Sequence, residues 1–229
     1  MPARSAVLSV LLGAHPARMS AADLVRAGSY LGIAETTLRV ALTRAVASGD
    51  LIRTDGGYAL GDRLEERQRR QDESVQNASE VWDGRWEQAV VVEAGRSAAD
   101  RAALRAKLSQ SHLAELREGV WMRPANRGDR DLPDDRAVAR FVVERADDPV
   151  GLAARLWDLG VWASHGRALL AELAATREPA MRLSVAADLV RHLLDDPLLP
   201  KQLLPTDWPG EQLRSTYAAY QDELITAWT

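Results

Sequence analysis

The chain has 229 residues, no cysteine and a formal net charge of −4, and hydrophobic residues make up 46% of it. Because a single domain usually holds roughly 100–200 residues, two or three compact units are expected. The lack of cysteine excludes disulfides and thiolate metal sites, and the acidic balance excludes a uniformly basic nucleic-acid-binding protein. No stretch approaches the ~20 apolar residues that span a bilayer, so we expect a cytoplasmic protein without a membrane partner.

The N-terminal segment predicts three helices followed by a β-hairpin. Residues 4–13 form a short apolar helix, and Ser20 is placed to cap the second helix. The third helix, residues 35–48, carries apolar side chains at helical spacing, and residues 55–57 (Asp-Gly-Gly) are typical of a hairpin turn. This order predicts a winged helix-turn-helix DNA-binding domain over residues 1–62.

The outward face of the third helix carries the side chains expected to contact DNA. Threonine hydroxyls bind phosphates or base edges, and arginine pairs with guanine; an arginine in the wing is better placed for a phosphate. A winged helix used only for protein contacts is the alternative, and Arg44, at the border of the buried face, also suits an ion pair within the domain. The predicted DNA-binding residues are Thr36, Thr37, Arg39, Thr43, Arg44 and Arg53.

Residues 63–80 are highly charged and contain neither proline nor glycine. They predict a connector that is an exposed helix with internal ion pairs, or else a tether or a nucleic-acid arm. The first 62 residues hold six arginines against five acidic residues, so DNA binding requires a focused patch and dimerisation rather than bulk charge.

Residues 81–160 predict a middle domain with the order strand–helix–strand–strand–helix. "WEQAVVVEA" is the first strand, Ser97 caps the following helix, and a second strand region is broken at Gly119. A third strand, "AVARFVVERA", precedes a helix that begins near Pro149. This order is ferredoxin-like, with a final strand that the sequence does not place.

Residues 161–229 predict a helical C-terminal domain. Between its last two helices, four prolines in "DPLLPKQLLPTDWPG" forbid a continuous helix, while the leucines and a tryptophan indicate a packed loop that braces the last helix. The predicted fold class is therefore a multi-domain α+β protein.

The sequence carries no motif for enzymatic chemistry. The four histidines lack ligand spacing, and the chain has no phosphate-binding loop, nucleophile elbow or dinucleotide fingerprint. We therefore expect no metal and no cofactor. A metal-dependent nuclease on the ferredoxin-like domain is the alternative function, with Asp83 and Glu93 near the first strand as its candidate ligands.

Five motifs together resemble a known family. "TLRVALTRAVASGDLIR", "WDGRW", "LREGVWMRP", "ARLWDL" and "DPLLPKQLLPTDWPG" occur in this order, and the chain resembles the PaaX family of bacterial repressors across nearly its whole length. The resemblance implies a homodimeric repressor that binds double-stranded operator DNA through the helix at residues 35–48. It also implies release by a small-molecule effector such as an aryl-CoA or acyl-CoA thioester.

The resemblance does not assign the effector site, so its candidates come from ligand chemistry. A CoA thioester offers phosphates to cationic side chains and an adenine to aromatic rings. The alternative for each residue is a structural role, tryptophan in a core and arginine in an ion pair. The candidate effector-binding residues are Arg85, Trp86, Arg117, Trp121 and Arg123.

Overall fold

The computed structural model describes residues 1–76, 81–127 and 135–228, and these residues form an α+β protein with two antiparallel sheets. No helix in these three ranges is long and apolar enough to cross a membrane. The chain divides into two compact units, each assembled from segments that are separated in sequence. The first unit comprises residues 1–76, 164–196 and 209–229, and the second comprises residues 77–163 and 197–208.

The first unit begins with the three helices and the hairpin predicted for the N-terminal segment, together with one additional short strand. They are α1 (Ala3–Gly13), β1 (Arg18–Ser20), α2 (Ala21–Tyr30), α3 (Glu35–Ala47), β2 (Leu51–Thr54) and β3 (Gly57–Leu60). The unit is completed by α4 (Asp62–Gln76), α8 (Pro179–Leu194), α9 (Gly210–Thr226) and the greater part of α7 (Leu159–Ala175).

The inner face of α3 anchors the core of the N-terminal segment. Leu38, Leu42 and Ala45 are buried in one cluster with side chains of α1, α2, β2, β3 and α4. At Gly28 in α2, an added Cβ would lie 3.0 Å from the Leu38 side chain, so this glycine permits the close approach of α2 and α3. The packing fixes which side of α3 faces outward.

Strands β1, β3 and β2 form a three-stranded antiparallel sheet in that order. β2 and β3 are the predicted hairpin, and β1 is a short strand that the sequence pattern did not reveal. A Cβ at Gly57 would overlap the Met19 carbonyl oxygen of β1. The pairing of β1 with the hairpin therefore depends on a residue without a side chain.

The predicted connector is the helix α4, and it is only partly solvent-exposed. Arg69 pairs with Glu66 and Glu73 on its outer face, as expected of a charged helix. Its other face is buried, and the Gln68 side-chain amide donates to the carbonyl oxygens of Leu12 and Ala14, at 2.9 Å in both cases. The predicted helix with internal ion pairs is therefore present, but one of its faces is buried instead of exposed, and the last residues of the predicted connector, 77–80, lie outside the described part.

The second unit contains a four-stranded antiparallel sheet in the order β5-β6-β4-β7. Gly119, with a φ of 75°, divides the predicted second strand into a hairpin, so the fourth strand comes from this division and not from the C-terminal side. The elements are β4 (Trp86–Val91), α5 (Ala98–Gln110), β5 (Ala114–Arg117), β6 (Val120–Pro124), β7 (Val138–Val143) and α6 (Pro149–Leu156), together with the start of α7.

The loop between α8 and α9 is packed, as the prolines and leucines predicted. It contains one 3-10 turn, Lys201–Leu203. Leu199 and Leu203 are buried beside Trp86 in the second unit, and Trp208 stacks on Trp162 with ring centroids 4.3 Å apart. Most of the loop thus belongs to the core of the second unit, while its first residue, Asp196, pairs with Arg214 of α9 at 2.6 Å, as expected of a loop that braces the last helix.

Candidate nucleic-acid interface

The outward side of α3 is an exposed stripe of short polar side chains. With about 100° of rotation per residue, Thr36, Thr37, Thr43 and Arg44 all project within roughly 60° of Val40. All five residues are exposed, and Val40 is 51% exposed at the centre of the stripe. An exposed valine surrounded by hydroxyls does not contribute to the core, so this stripe is free to contact another molecule.

Two arginines lie along α3, and the structure separates their roles. Arg39 lies on the flank of the stripe, where its Nε donates to the Glu35 carboxylate at 2.9 Å. Arg44 is exposed, and its guanidinium forms no ion pair within the described ranges. The predicted alternative of an internal ion pair for Arg44 does not occur there, so its positive charge remains available.

The threonines and the hairpin complete the predicted set. Thr43 donates its hydroxyl hydrogen to the Arg39 carbonyl oxygen at 2.9 Å, which orients its side chain on the helix. Arg53 pairs across the hairpin with Tyr58, and its guanidinium carbon lies 6.0 Å from the centre of the Tyr58 ring. The ring holds Arg53 only weakly at this distance, so its charge is exposed on the hairpin.

A buried carboxylate at the end of α3 is the main feature of this region that sequence analysis missed. Asp50 is 3% exposed and accepts hydrogen bonds from Arg4, Arg63 and Ser48. Burial disfavours the charged carboxylate, but the hydrogen bonds from Arg63, Ser48 and Arg4 outweigh it and lower the pKa of Asp50. Asp50 follows Gly49, at the end of α3, where an aspartate is ordinarily an exposed turn residue. The sequence therefore does not indicate that its carboxylate is buried.

Replacing Asp50 with asparagine is expected to lower the free energy of unfolding by about 2 kcal/mol at pH 7, because charge-assisted hydrogen bonds to a buried acceptor are lost. Since the pKa is lowered in the folded state, the ionised carboxylate stabilises the fold above its unfolded pKa of about 3.9. That contribution declines as pH falls further, through the folded pKa. Urea unfolding should therefore show a large difference between wild type and variant at pH 7 and a smaller one at pH 3. An equal difference at both pH values would contradict the ion-paired role.

The five candidate effector-binding residues do not line a common site. Trp86 is fully buried on one face of the four-stranded sheet, with Met122, Leu152 and Leu199. Trp121 is 5% exposed and packs in a different cluster with Leu104 and Leu108 of α5. The two rings occupy separate cores.

The three arginines of that set also lie apart. Arg85 is exposed, and its Nε donates to Asp83 at 2.6 Å, whereas Arg117 is exposed on β5. Arg123 is 1% exposed, forms an ion pair with the buried Glu87 of β4, and donates to the Ser111 carbonyl oxygen at 2.7 Å. Arg85 and Arg123 thus have the ion-pair role that was the structural alternative.

The motif "WDGRW" forms the entry to β4. Gly84 has a φ of 99°, and Asp83 accepts from the Arg85 backbone N–H at 3.1 Å, so Asp83-Gly84 form a tight turn. Trp82 meets Trp86 edge-to-face with ring centroids 6.1 Å apart. The two tryptophans close the end of the core and present no parallel stacking surface.

The candidate metal ligands of the nuclease alternative lie in different ion pairs. Asp83 is bound to Arg85, and Glu93 pairs with Arg96 at 3.2 Å. Nowhere in the described residues do three or more histidine or acidic side chains cluster in a way that could hold a metal ion. The geometry therefore offers no support for that alternative.

The N-terminal and C-terminal parts of the chain each match a model of the same protein family. Residues 2–64 match the family described as "PaaX-like protein", and residues 162–227 match "PaaX-like protein C-terminal domain". A solved structure, "Uncharacterized protein Rv0674 from Mycobacterium tuberculosis", is 48% identical in sequence and superposes with a TM-score of 0.87. The match covers 98% of this chain and 96% of the other. No curated protein matches the chain.

Proposed function

Because the chain belongs to the PaaX family of transcriptional regulators, we propose that it is a DNA-binding repressor whose N-terminal segment acts as a winged helix-turn-helix. In this proposal α3 is the recognition helix in the major groove, and the hairpin β2–β3 is the wing. A homodimer binds two half-sites of a double-stranded operator, and a small-molecule effector releases it.

The exposed stripe on α3 is the observation that carries this proposal. Its threonine hydroxyls suit phosphates and base edges, Arg44 supplies an uncompensated charge, and the exposed Val40 suits the methyl group of thymine. Arg39, held by Glu35, is better suited to positioning than to reading a base. We propose Thr36, Thr37, Thr43 and Arg44 as groove contacts and Arg53 as a phosphate contact.

Direct binding to DNA tests the proposal. The purified protein should retard a labelled fragment of the promoter region beside its own gene, and its affinity should fall steeply as salt rises, because phosphate contacts release counterions. Failure to bind any upstream fragment at low salt would overturn the repressor function. Equal affinity for the promoter and for an unrelated fragment would overturn operator recognition.

The strand order of the second unit supports the proposal of a ferredoxin-like domain, and the exposed edge of its sheet is the surface that we propose for the dimer. The order β5-β6-β4-β7 is that of the ferredoxin-like sheet, although α6 follows the fourth strand instead of preceding it. In the described part of the chain, β7 is an outer strand with Phe141 and Val142 exposed at 52% and 60%. Such an edge with apolar residues on both faces favours pairing with another strand.

The charges that flank these residues make β7 self-complementary. In an antiparallel pair of two β7 strands related by a two-fold axis at Val142, Arg140 of one copy faces Glu144 of the other. Both residues are exposed, and neither forms an ion pair within the described residues. We therefore propose that a second copy of the chain covers this edge.

The charge reversal Arg140→Glu is expected to weaken the dimer by about fivefold or more, because like charges would then face each other. Light scattering over a dilution series measures the dissociation. The double variant Arg140→Glu/Glu144→Arg restores opposite charges and should restore the dimer. A dimer insensitive to the single variant, or not recovered in the double variant, would place the interface elsewhere.

A further inference from the structure

The first unit contains a cavity of about 260 Å³, partly open to solvent, between its N-terminal and C-terminal elements. Residues from both ends of the chain line it, and all of them belong to this one compact unit. The apolar walls come from α1, α8 and α9, with β1 and α4 closing the sides. The residues relevant to ligand binding are Val10, Met19, Arg67, Ala187, Tyr217 and Tyr220.

Two arginines line this mainly apolar cavity, the exposed Arg18 of β1 and Arg67 of α4, and Arg67 is the more buried of the two. Arg67 of α4 is half-buried, and its guanidinium forms no ion pair within the described ranges. Burial lowers the pKa of Arg67, and the positive charges of Arg191, Arg63 and Arg70 lower it further. An anion from outside the chain would relieve this accumulation of positive charge.

Two tyrosines of α9, the buried Tyr220 and the partly buried Tyr217, add hydrogen-bond donors. Tyr220 is 5% exposed, and its buried hydroxyl has no hydrogen-bond partner in the described structure. Burial raises the pKa of Tyr220, and burial together with the nearby Asp72 carboxylate raises the pKa of Tyr217 to about 12. Both phenols therefore remain protonated at neutral pH. A buried hydroxyl without a partner is rare in native folds, so the Tyr220 hydroxyl is available to donate to a ligand bound in the cavity.

The size of the cavity limits its ligand. Pockets for drug-sized ligands measure roughly 300–1,000 Å³, so this cavity suits a smaller molecule. In an acyl-CoA the carboxylate has become an uncharged thioester, and the nearest phosphate lies at the far end of the pantetheine arm. A free acid keeps its negative charge next to its apolar body, which is the combination that the cavity presents.

We propose that this cavity is the effector site and that its ligand is a small monocarboxylate with an apolar aryl or medium-chain alkyl body. The apolar body lies between α1, α8 and α9, and the carboxylate pairs with Arg67. This assignment rests on the proposed regulatory function and replaces the five middle-domain residues as the effector site.

The cavity also adjoins the wing. Arg18 and Met19 of β1 line it, and β1 pairs directly with β3 of the hairpin, Met19 opposite Tyr58. Because β1 and β3 are paired strands of one sheet, a displacement of β1 is expected to move β3 with it. A ligand that fits better when β1 is displaced thus favours a wing position unsuited to DNA, to the extent that its affinities for the two positions differ.

Calorimetry on the full chain, without DNA, tests the site first. Phenylacetate and octanoate are the probes, their uncharged amides are the controls for charge, and phenylacetyl-CoA distinguishes the thioester from the free acid. The acids should bind, and each amide should bind at least about tenfold more weakly, because the charge-assisted pair with Arg67 is lost. Binding of the thioester alone, equal binding of acid and amide, or no binding of either acid would overturn the proposal.

Variants then locate the binding. Arg67→Gln should weaken the acids by about tenfold while Arg67→Lys keeps part of the affinity, and Ala187→Phe should abolish binding by filling the cavity. Arg69→Gln, on the same helix but on its outer face, where it pairs with Glu66 and Glu73, is the matched control and should bind like wild type. Unchanged binding by both Arg67→Gln and Ala187→Phe would place the ligand elsewhere.

DNA binding is measured separately, so the two proposals fail independently. Acid binding that depends on Arg67, in a protein that never binds its promoter, would retain the site and reject the repressor function. Promoter binding without any acid binding would retain the repressor and reject this site. Release of the promoter by acids in wild type, but not in Ala187→Phe, supports both.

Discussion

Replacing Arg44 with alanine is expected to weaken promoter binding by about one to two orders of magnitude, since one good arginine contact contributes about 1–3 kcal/mol. The expectation rests on its position: Arg44 is exposed on the stripe of α3 and has no ion pair in the described residues. No fold-stabilising contact is lost, so the melting temperature should stay unchanged. Fluorescence anisotropy on a labelled promoter fragment, repeated at several salt concentrations, measures the loss.

Two neighbouring arginines are controls for the Arg44 result. Arg70→Ala removes an exposed charge from α4, away from the stripe, and should leave the affinity near that of wild type. Arg39→Ala should have a smaller effect than Arg44→Ala, because Glu35 already compensates its charge. If Arg44→Ala bound the promoter as tightly as wild type, α3 would not be the recognition helix.

Replacing Glu87 with glutamine is expected to lower the free energy of unfolding by about 3–5 kcal/mol, because it removes the buried carboxylate that pairs with the buried guanidinium of Arg123. Glu87 and Arg123 face each other across β4 and β6 and are 7% and 1% exposed. Urea unfolding followed by tryptophan fluorescence reports on this unit, since Trp86 and Trp121 lie in its cores.

A double replacement separates the ion pair from simple packing. Glu87→Leu/Arg123→Met removes both charges and should recover most of the stability lost in Glu87→Gln, because an apolar pair of similar volume is often as stable as a buried ion pair. Glu93→Gln breaks an exposed pair with Arg96 in the same unit and should cost less than about 1 kcal/mol. A double variant no more stable than Glu87→Gln would show that packing, not charge, dominates this position.

Elements with a strong local pattern could be predicted from the sequence. The helical spacing of Leu38, Leu42 and Ala45 identified the buried face of α3, and that assignment fixed the exposed stripe. Ser20 and Ser97 cap their helices as expected, each accepting from the backbone N–H three residues later. These features depend on neighbours within one or two turns, which a sequence pattern records directly.

Features that depend on distant segments were not predictable. The pairing of Glu87 with Arg123 requires the register of two strands, which neither strand encodes alone. The buried face of α4 uses glutamines, so hydrophobic periodicity could not identify it. The cavity brings α1 together with α9, and no local signal marks a wall shared by segments so far apart.

Contacts between the two ends of the chain have a consequence for its synthesis. Arg26 donates to the Trp228 carbonyl oxygen at 2.9 Å, and Gln221 donates to the Gly13 carbonyl oxygen at 3.3 Å. Domains generally fold as units while the ribosome extends the chain, but this unit requires α9, which is translated after every segment of the second unit. The surface of α1 that α9 covers in the folded unit is therefore expected to stay exposed to solvent until α9 has been synthesised. A messenger truncated before α9 yields a chain that cannot complete its first unit, so we expect such fragments to be bound by chaperones and degraded by proteases.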